Sequence, residues 1–311
     1  MNFRDDKKGF ALIMTIFIVL FLTVTAFGFS LTTRWSIKSV QNFKQETEAY
    51  YVALSGFDLA RKYLMNDSEA NTDFITEDGT FYVDREHDPL TGEMDIYNGK
   101  VRIDITDEQS RININRTSQD NLRKLLHYAG VEPDKEDALV DCLLDWIDAD
   151  DAHHLNGVED EYYEDFGYRS KNAPLDTVEE LALVKEFGDG LLGGSDDYSS
   201  ILPLITTFGD GRFNVNTVSR EMMSLLGVSE IDIDNVMSYR DSETGGLSAV
   251  PSNLRAFGFS TTYSRYIRIV ISAEVKDSGI EYLITAIVKR TPEAGSFRLD
   301  TVYWREDVKH S

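Results

Sequence analysis

The densest chemistry-bearing stretch of this sequence runs Asp145-Trp146-Ile147-Asp148-Ala149-Asp150-Asp151 and resumes at Glu159-Asp160-Glu161-Tyr162-Tyr163. Nine carboxylates fall between Asp145 and Asp165. Carboxylates so close repel one another and raise one another's pKa values unless a cation neutralises them. Ca2+ accepts about six to eight hard oxygens in flexible geometry, which a loop rich in acids and carbonyls supplies. The cluster also opens where the apolar helical pattern 139–147 ends, at the helix terminus that disfavours anions. The spacing is not that of an EF-hand, because Asp-x-Asp-x-Asp-Gly is missing. A solvated acidic loop without an ion is the alternative reading. His153 and His154 stand beside the acids, but adjacent loop residues rarely chelate one metal together, so zinc is not expected. No Ser-His-Asp set, nucleophile elbow or Gly-rich phosphate loop accompanies the carboxylates, and the chain is not expected to be an enzyme.

Several elements must position this loop. Helical spacing covers residues 119–129, 134–147, 177–185, 220–226 and 232–240. Tyr162, Tyr163 and Tyr168 are expected to pack the acidic loop back onto these helices. Within the block lies an echo: Ser110-Arg111-Ile112-Asn113-Ile114-Asn115-Arg116-Thr117-Ser118 returns as Gly211-Arg212-Phe213-Asn214-Val215-Asn216-Thr217-Val218-Ser219. Each copy leads into a short helix with a leucine pair and then Gly-Val. The Asn, Thr and Ser side chains are expected to cap the free amides at the helix starts. The echoes look like helix-hairpin-helix modules of DNA-uptake receptors. Their hairpins are acidic, however (Glu132, Asp134, Glu136 and Asp137; Glu230, Asp232 and Asp234), which repels nucleic acid.

Around the block, alternating patterns at residues 80–83, 100–105, 266–276, 281–290 and 297–305 read as strands. Asn98-Gly99 makes a turn after Asp95-Ile96-Tyr97. The order is helix, strands, helical block, strands. That order points to an α+β class with a helical domain inserted into it; two tandem domains are the alternative.

The chain begins with an anchor. From Gly9 to Thr33 there is no charged residue. Such a run makes a helix of roughly 37 Å, enough to cross a hydrocarbon core of about 30 Å with some tilt. The amphipathic pattern continues over 34–64, half of it apolar and aromatic. Arg4, Lys7 and Lys8 lie close before the span, while basic residues after it are wider apart, so the N-terminus is expected inside. The bulk of the chain would then be periplasmic, and the anchor would lie in the inner membrane of a bacterium. Net charge is −23, or −24 once residues 1–9 are removed. This balance argues against nucleic acid and suits divalent cations. The single cysteine, Cys142, sits in an apolar helical pattern and is expected in the core.

Lys7-Lys8-Gly9-Phe10-Ala11-Leu12-Ile13 resembles the class III leader of type IV prepilins and type II secretion pseudopilins. The resemblance implies a cut by prepilin peptidase between Gly9 and Phe10, and methylation of the new N-terminus. Met14 occupies the fifth mature position, where major pilins carry a glutamate, which is compatible with a subunit that nothing precedes and equally with a plain membrane anchor. Taken with Arg111-Ile112-Asn113-Ile114-Asn115, Leu144-Asp145-Trp146-Ile147-Asp148-Ala149-Asp150-Asp151, Gly157-Val158-Glu159-Asp160-Glu161-Tyr162-Tyr163, Lys171-Asn172-Ala173-Pro174-Leu175 and Val178-Glu179-Glu180-Leu181, the chain looks like the minor pseudopilin K family of type II secretion. The Trp-Ile-Asp-Ala-Asp-Asp block is the specific part.

That resemblance implies a pilin-like fold with a large all-α insertion. Its segments are the leader at 1–9, a transmembrane helix at 10–33, the first part of the pseudopilin domain at 34–112, the insertion at 113–262, and the completing sheet at 263–311. It further implies a structural role at the pseudopilus tip with minor pseudopilins I and J, contact with the major pseudopilin, and bound Ca2+ on Asp148, Asp150, Asp151, Glu159 and Asp160. The arm 152–155 departs from the Pro- and Arg-containing version expected there. A minor subunit of a type IV pilus and a membrane-tethered DNA receptor are the alternatives.

Overall fold

The computed structural model of the chain describes residues 6–67, 72–242, 245–276, 278–293 and 296–310, with 6–9 and 296 described as backbone only. The expected leader, with its cut after Gly9, therefore lies outside the residues whose side chains are described. One helix, α1 (Asp6–Met65), opens the fold. At about 1.5 Å per residue its 60 residues make a rod of roughly 90 Å. Its first half is apolar and bare on every face, from Phe10 to Phe29. In its last third Ala49, Val52, Ala53, Phe57, Ala60 and Leu64 are buried at spacings of three and four, so one stripe lies on a sheet. No break separates the two halves.

The sheet has five antiparallel strands: β1 (Glu93–Ile96), β2 (Gly99–Asp107), β3 (Tyr266–Val275), β4 (Ile280–Glu293) and β5 (Ser296–His310). Their spatial order is β5-β4-β3-β2-β1. Odd positions of β2, from Val101 to Ile105, face α1 while Lys100, Arg102 and Asp104 face water, giving the period of two that the sequence showed. Ile103 lies opposite Ile271, and Ile271 opposite Ile284, which makes one apolar row under the helix. Gly56 is the point of closest approach: a Cβ there would stand 2.7 Å from a Val101 methyl and 3.2 Å from one of Ile271. The expected α+β, pilin-like arrangement is the one observed, and β5 runs further than the sequence pattern indicated.

Between β2 and β3 the chain builds a second core of its own. It holds α2 (Gln119–Tyr128), α3 (Pro133–Ile147), α4 (Asp160–Tyr163), α5 (Asp189–Gly193), α6 (Arg220–Leu226) and α7 (Glu230–Asp241). The helix expected over 177–185 is instead a 3-10 turn, Val178–Leu183. Cys142 is buried in this core, and burial pushes its thiol up to about 11.

The sequence echo is a structural repeat, and here one expectation needs correcting. The helix caps are Ser118, which accepts from Asn121 N, and Ser219, which accepts from Met222 N. The asparagines do other work. Asn113 and Asn214 each accept the amide two residues on, from Asn115 and Asn216. Asn115 then clamps both the N–H and the C=O of Leu175, and Asn216 clamps those of Leu247. Each copy also starts in a short parallel ladder, Ile112-Asn113 beside Ile205-Thr206 and Phe213-Asn214 beside Phe259–Thr261. The reason is geometric: a carboxamide offers donor and acceptor together, and so satisfies a whole peptide unit of a loop that has no ladder.

A buried polar knot joins sheet and block. Arg290, fully buried on β4, pairs with Asp67 at 2.8 Å and with Asp73, while its Nε donates to Ser264 O at 3.1 Å. The amide of Ser264 also donates to Asp73. The knot thus ties the end of α1 to the exit from the helical block.

Candidate metal centre

The acidic loop is built on the end of α3. Asp141 and Asp145 stand one turn apart on one face, and the returning chain hangs from them. Asn156 N and Nδ2 both donate to Asp141 at 3.0 Å, and His154 N donates to the fully buried Asp145 at 2.9 Å. His154 Nδ1 also bonds Asp145, whose carboxylate holds the imidazole above its usual pKa. Gly157 passes so close to Asp145 that a Cβ would collide with the carboxylate, so this position must be glycine. Behind the loop, Trp146 meets Tyr163 edge-on at 4.9 Å, and Tyr163 stacks on Tyr168 at 5.5 Å. The tyrosines do pack the loop onto the helices.

Past the arm, Glu159 turns inward, only 8% exposed, and Asp160 begins α4. Ser170 Oγ lies 3.0 Å from Glu159 Oε2 and 2.7 Å from Asp160 Oδ1. Asn172 has a left-handed φ of 48° and donates its amide N–H to Trp146 O at 3.0 Å. Its Nδ2 donates to Asp151 Oδ1 at 3.0 Å.

The decisive feature is what lacks a donor. Asp148 Oδ1, Glu159 Oε1 and Asn172 Oδ1 are buried acceptors with no hydrogen-bond partner among the described residues. Such oxygens are costly unless something positive meets them. Burial first, and then the charges of neighbouring acids, raise both Asp148 and Glu159 above the ordinary carboxylate range. For Glu159 those neighbours are Asp145, Asp148 and Asp151, so the loop gathers carboxylates from both ends of the arm. Oxygen donors, excess negative charge and orphaned acceptors together fit a hard divalent cation.

The five ligands expected from the sequence therefore divide. Asp148 and Glu159 present free buried oxygens, and Asp151 accepts from Asn172 Nδ2. Asp160 is occupied by Ser170, and Asp150 is exposed and accepts from Ala152 N at 3.0 Å. Asn172, whose Oδ1 is orphaned beside these acids, was not among the residues expected from the sequence, although its motif was in view. Asp145, Asp148 and His154 also bring one ligand atom each within 4.8 Å of one another. Of the processing residues, Phe10 is exposed on α1, and Gly9 is described by its backbone within the same helix.

Residues 102–206, which include the whole loop, match the family model described as type II secretion system protein K. Over that segment the chain is similar to the protein K family. Similarity extends well beyond the matched segment. The chain is 28% identical to type II secretion system protein K of Pseudomonas aeruginosa over 256 residues, covering 77% of this chain and 74% of that one. It is 26% identical to the Klebsiella pneumoniae protein over 243 residues, covering 73% and 70%. In fold it matches a chain of the crystal structure of the GspK–GspI–GspJ complex from enterotoxigenic Escherichia coli, with a TM-score of 0.57 and 16% identity over 88% of this chain and 99% of the other. By length and composition, α1 is long and apolar enough to cross a membrane.

Proposed function

We propose that the chain is a structural minor pseudopilin that caps the tip of the type II secretion pseudopilus, with minor pseudopilins I and J as neighbours. The observation that carries this reading is α1 in a chain similar to protein K of type II secretion. One continuous helix is bare and apolar from residue 10 and buries its far stripe under an antiparallel sheet. A helix bare on all faces needs lipid or like helices around it. The similar solved chain is named as part of a complex with GspI and GspJ, which supports the partners. Met14 places no carboxylate at the fifth mature position, as suits a subunit with none ahead of it. The basic leader puts the N-terminus on the cytoplasmic side of the inner membrane and the folded part in the periplasm. The relatives above are named for type II secretion, which favours this reading over a type IV pilus. The acidic hairpins disfavour a DNA receptor.

For the metal centre, Asp148, Asp151, Glu159 and the carbonyl oxygen of Asn172 are the residues that would hold Ca2+. Bound there, the ion supplies charge neutralisation that lets the two ends of the arm close on one another. The chain's own part is to gather the acids: Asp141 and Asp145 fix the arm, and Ser170 turns Glu159 and Asp160.

Co-expression of the full chain with minor pseudopilins I and J and prepilin peptidase tests the reading. The expected result is co-purification of all three from detergent, with an N-methylated Phe10 as first residue by mass spectrometry. An unprocessed chain that leaves both partners in the flow-through overturns it.

A further inference from the structure

Away from the acidic loop, a cavity of about 600 Å3 opens where the sheet end, the 74–82 hairpin and helices α6 and α7 meet. Arg111, Arg220, Arg240 and Ser219 border it. Arg240 is the anomaly. It is only 3% exposed, yet among the described residues no carboxylate pairs with it. A guanidinium has five N–H donors. Here Nη2 donates to Val215 O at 2.5 Å, Nη1 has only the Met237 sulfur at 3.5 Å, and Nε has no partner. A buried charge left so poorly matched is strongly unfavourable. Burial pulls Arg240 down to about 9, with Asp241 working against the shift.

The neighbours reinforce the imbalance. Arg111 shares Glu108 with Arg268, at 3.4 and 2.5 Å, so a single carboxylate serves two cations. The Ser219 hydroxyl accepts from Met222 N at 3.1 Å and keeps its own proton to give. Arg220 is turned to Glu230 and Asp234 but still lines the rim. Glu77 and Asp241 also line the cavity, and their charges restrict the occupant to something small held by the arginines. A poorly matched guanidinium that lines the same cavity as a hydroxyl and a half-paired second guanidinium matches the oxygens of a carboxylate or a tetrahedral oxyanion.

We propose that this cavity binds one small oxyanion, held by Arg240 and Arg111 and capped by the Ser219 hydroxyl. Isothermal titration of the full chain in detergent tests it with three probes at matched ionic strength: sodium sulfate, sodium acetate and sodium chloride. Saturable binding near one per chain is expected for sulfate or for acetate, and which of the two binds identifies the anion as tetrahedral or carboxylate. Chloride should give only heats of dilution. Arg240→Met should abolish binding, and Arg111→Gln and Ser219→Ala should each weaken Kd at least fivefold. The proposal fails if neither oxyanion saturates, or if chloride titrates alike. It fails equally if the variants that fold by circular dichroism bind as tightly as the wild type. Arg111→Gln and Ser219→Ala keep the test decisive should Arg240→Met not fold.

Discussion

At the scale of single residues, two carboxylates decide most of what can be tested. Asp73 sits fully buried between Arg290 and the Ser264 amide, and its Oδ1 has no partner among the described residues. One guanidinium serves both Asp67 and Asp73, so the knot carries one negative charge too many. Burial, only partly offset by Arg290, pushes Asp73 up to about 7. An acid with a raised folded pKa holds its proton in the native state where the unfolded chain has lost it. The knot's contribution is therefore full below about pH 4 and declines as pH climbs to about 7, by ~1.4 kcal/mol per unit at most. Asp73→Asn should remove that slope and make the protein about 1–3 kcal/mol more stable at pH 8. Thermal melts of variant and wild type compared at pH 5 and pH 8 check this; parallel curves would refute it.

Glu159 is the second. If its free oxygen faces Ca2+, the ion at a hundred times its Kd adds about 2.7 kcal/mol. For a folded part of this size that is a rise in Tm of roughly 5–10 °C. Glu159→Gln should lose most of the rise while melting near the wild type in chelator, where the raised carboxylate no longer opposes folding. Identical calcium-induced shifts in both proteins would remove Glu159 from the site. The residue scale is also where the sequence was least legible. Composition located the acid cluster, but which acids are already satisfied, as Asp160 is by Ser170, depends on contacts ten residues apart. The orphaned oxygen of Asn172 was not legible because a neutral side chain 13 residues past Glu159 leaves no charge pattern.

At the scale of elements, legibility follows period. The long helix and strands β2 to β5 repeat their apolar residues many times, so their signal survives local noise, whereas the four-residue β1 was not read. Short pieces do not: α4, α5 and the two parallel ladders have too few residues to show a period. The 177–185 segment has helical spacing yet closes as a 3-10 turn, because its core-facing residues Val178, Leu181 and Val184 fall every three residues, the period of a 3-10 turn. The asparagine clamps were misread as caps because both uses draw on the same residue types. The contact between α1 and the sheet offers a clean test. Gly56→Ala gains about 1 kcal/mol of helix propensity but forces a methyl against the β-branched Val101, at about 1–3 kcal/mol. Val101 is clamped in a central strand and cannot turn away, so crowding should win. A fall in Tm of roughly 2–6 °C is expected; an unchanged or higher Tm would show that the helix can ride outward.

At the scale of the whole molecule, the chain is two cores around one interrupted sheet. The central pair of strands, β2 and β3, brackets the entire helical block, with Asp107 opposite Ile267. A chain ended after residue 262 keeps α1, β1 and β2 but loses β3, the strand that pairs with β2 along its whole length. Its residues 34–107 should be cut by protease at least tenfold faster than in the full chain, while 113–259 retains its own core. Equal protection of both regions would show that the sheet does not depend on its last three strands.

That interruption has a consequence in time. A polypeptide delivered N-terminus first has its helix across the membrane long before the strands that cover the helix's far stripe exist. Pairing Gly99–Asp107 with Tyr266–Val275 must close a loop of some 160 residues, and such long-range closure is slow compared with local helix formation. Until the final strands arrive, the stripe from Ala49 to Leu64 stays bare, and a neighbouring subunit meets an unfinished surface. The last fifty residues thus act as a completion signal: only a fully delivered chain presents a surface fit for assembly.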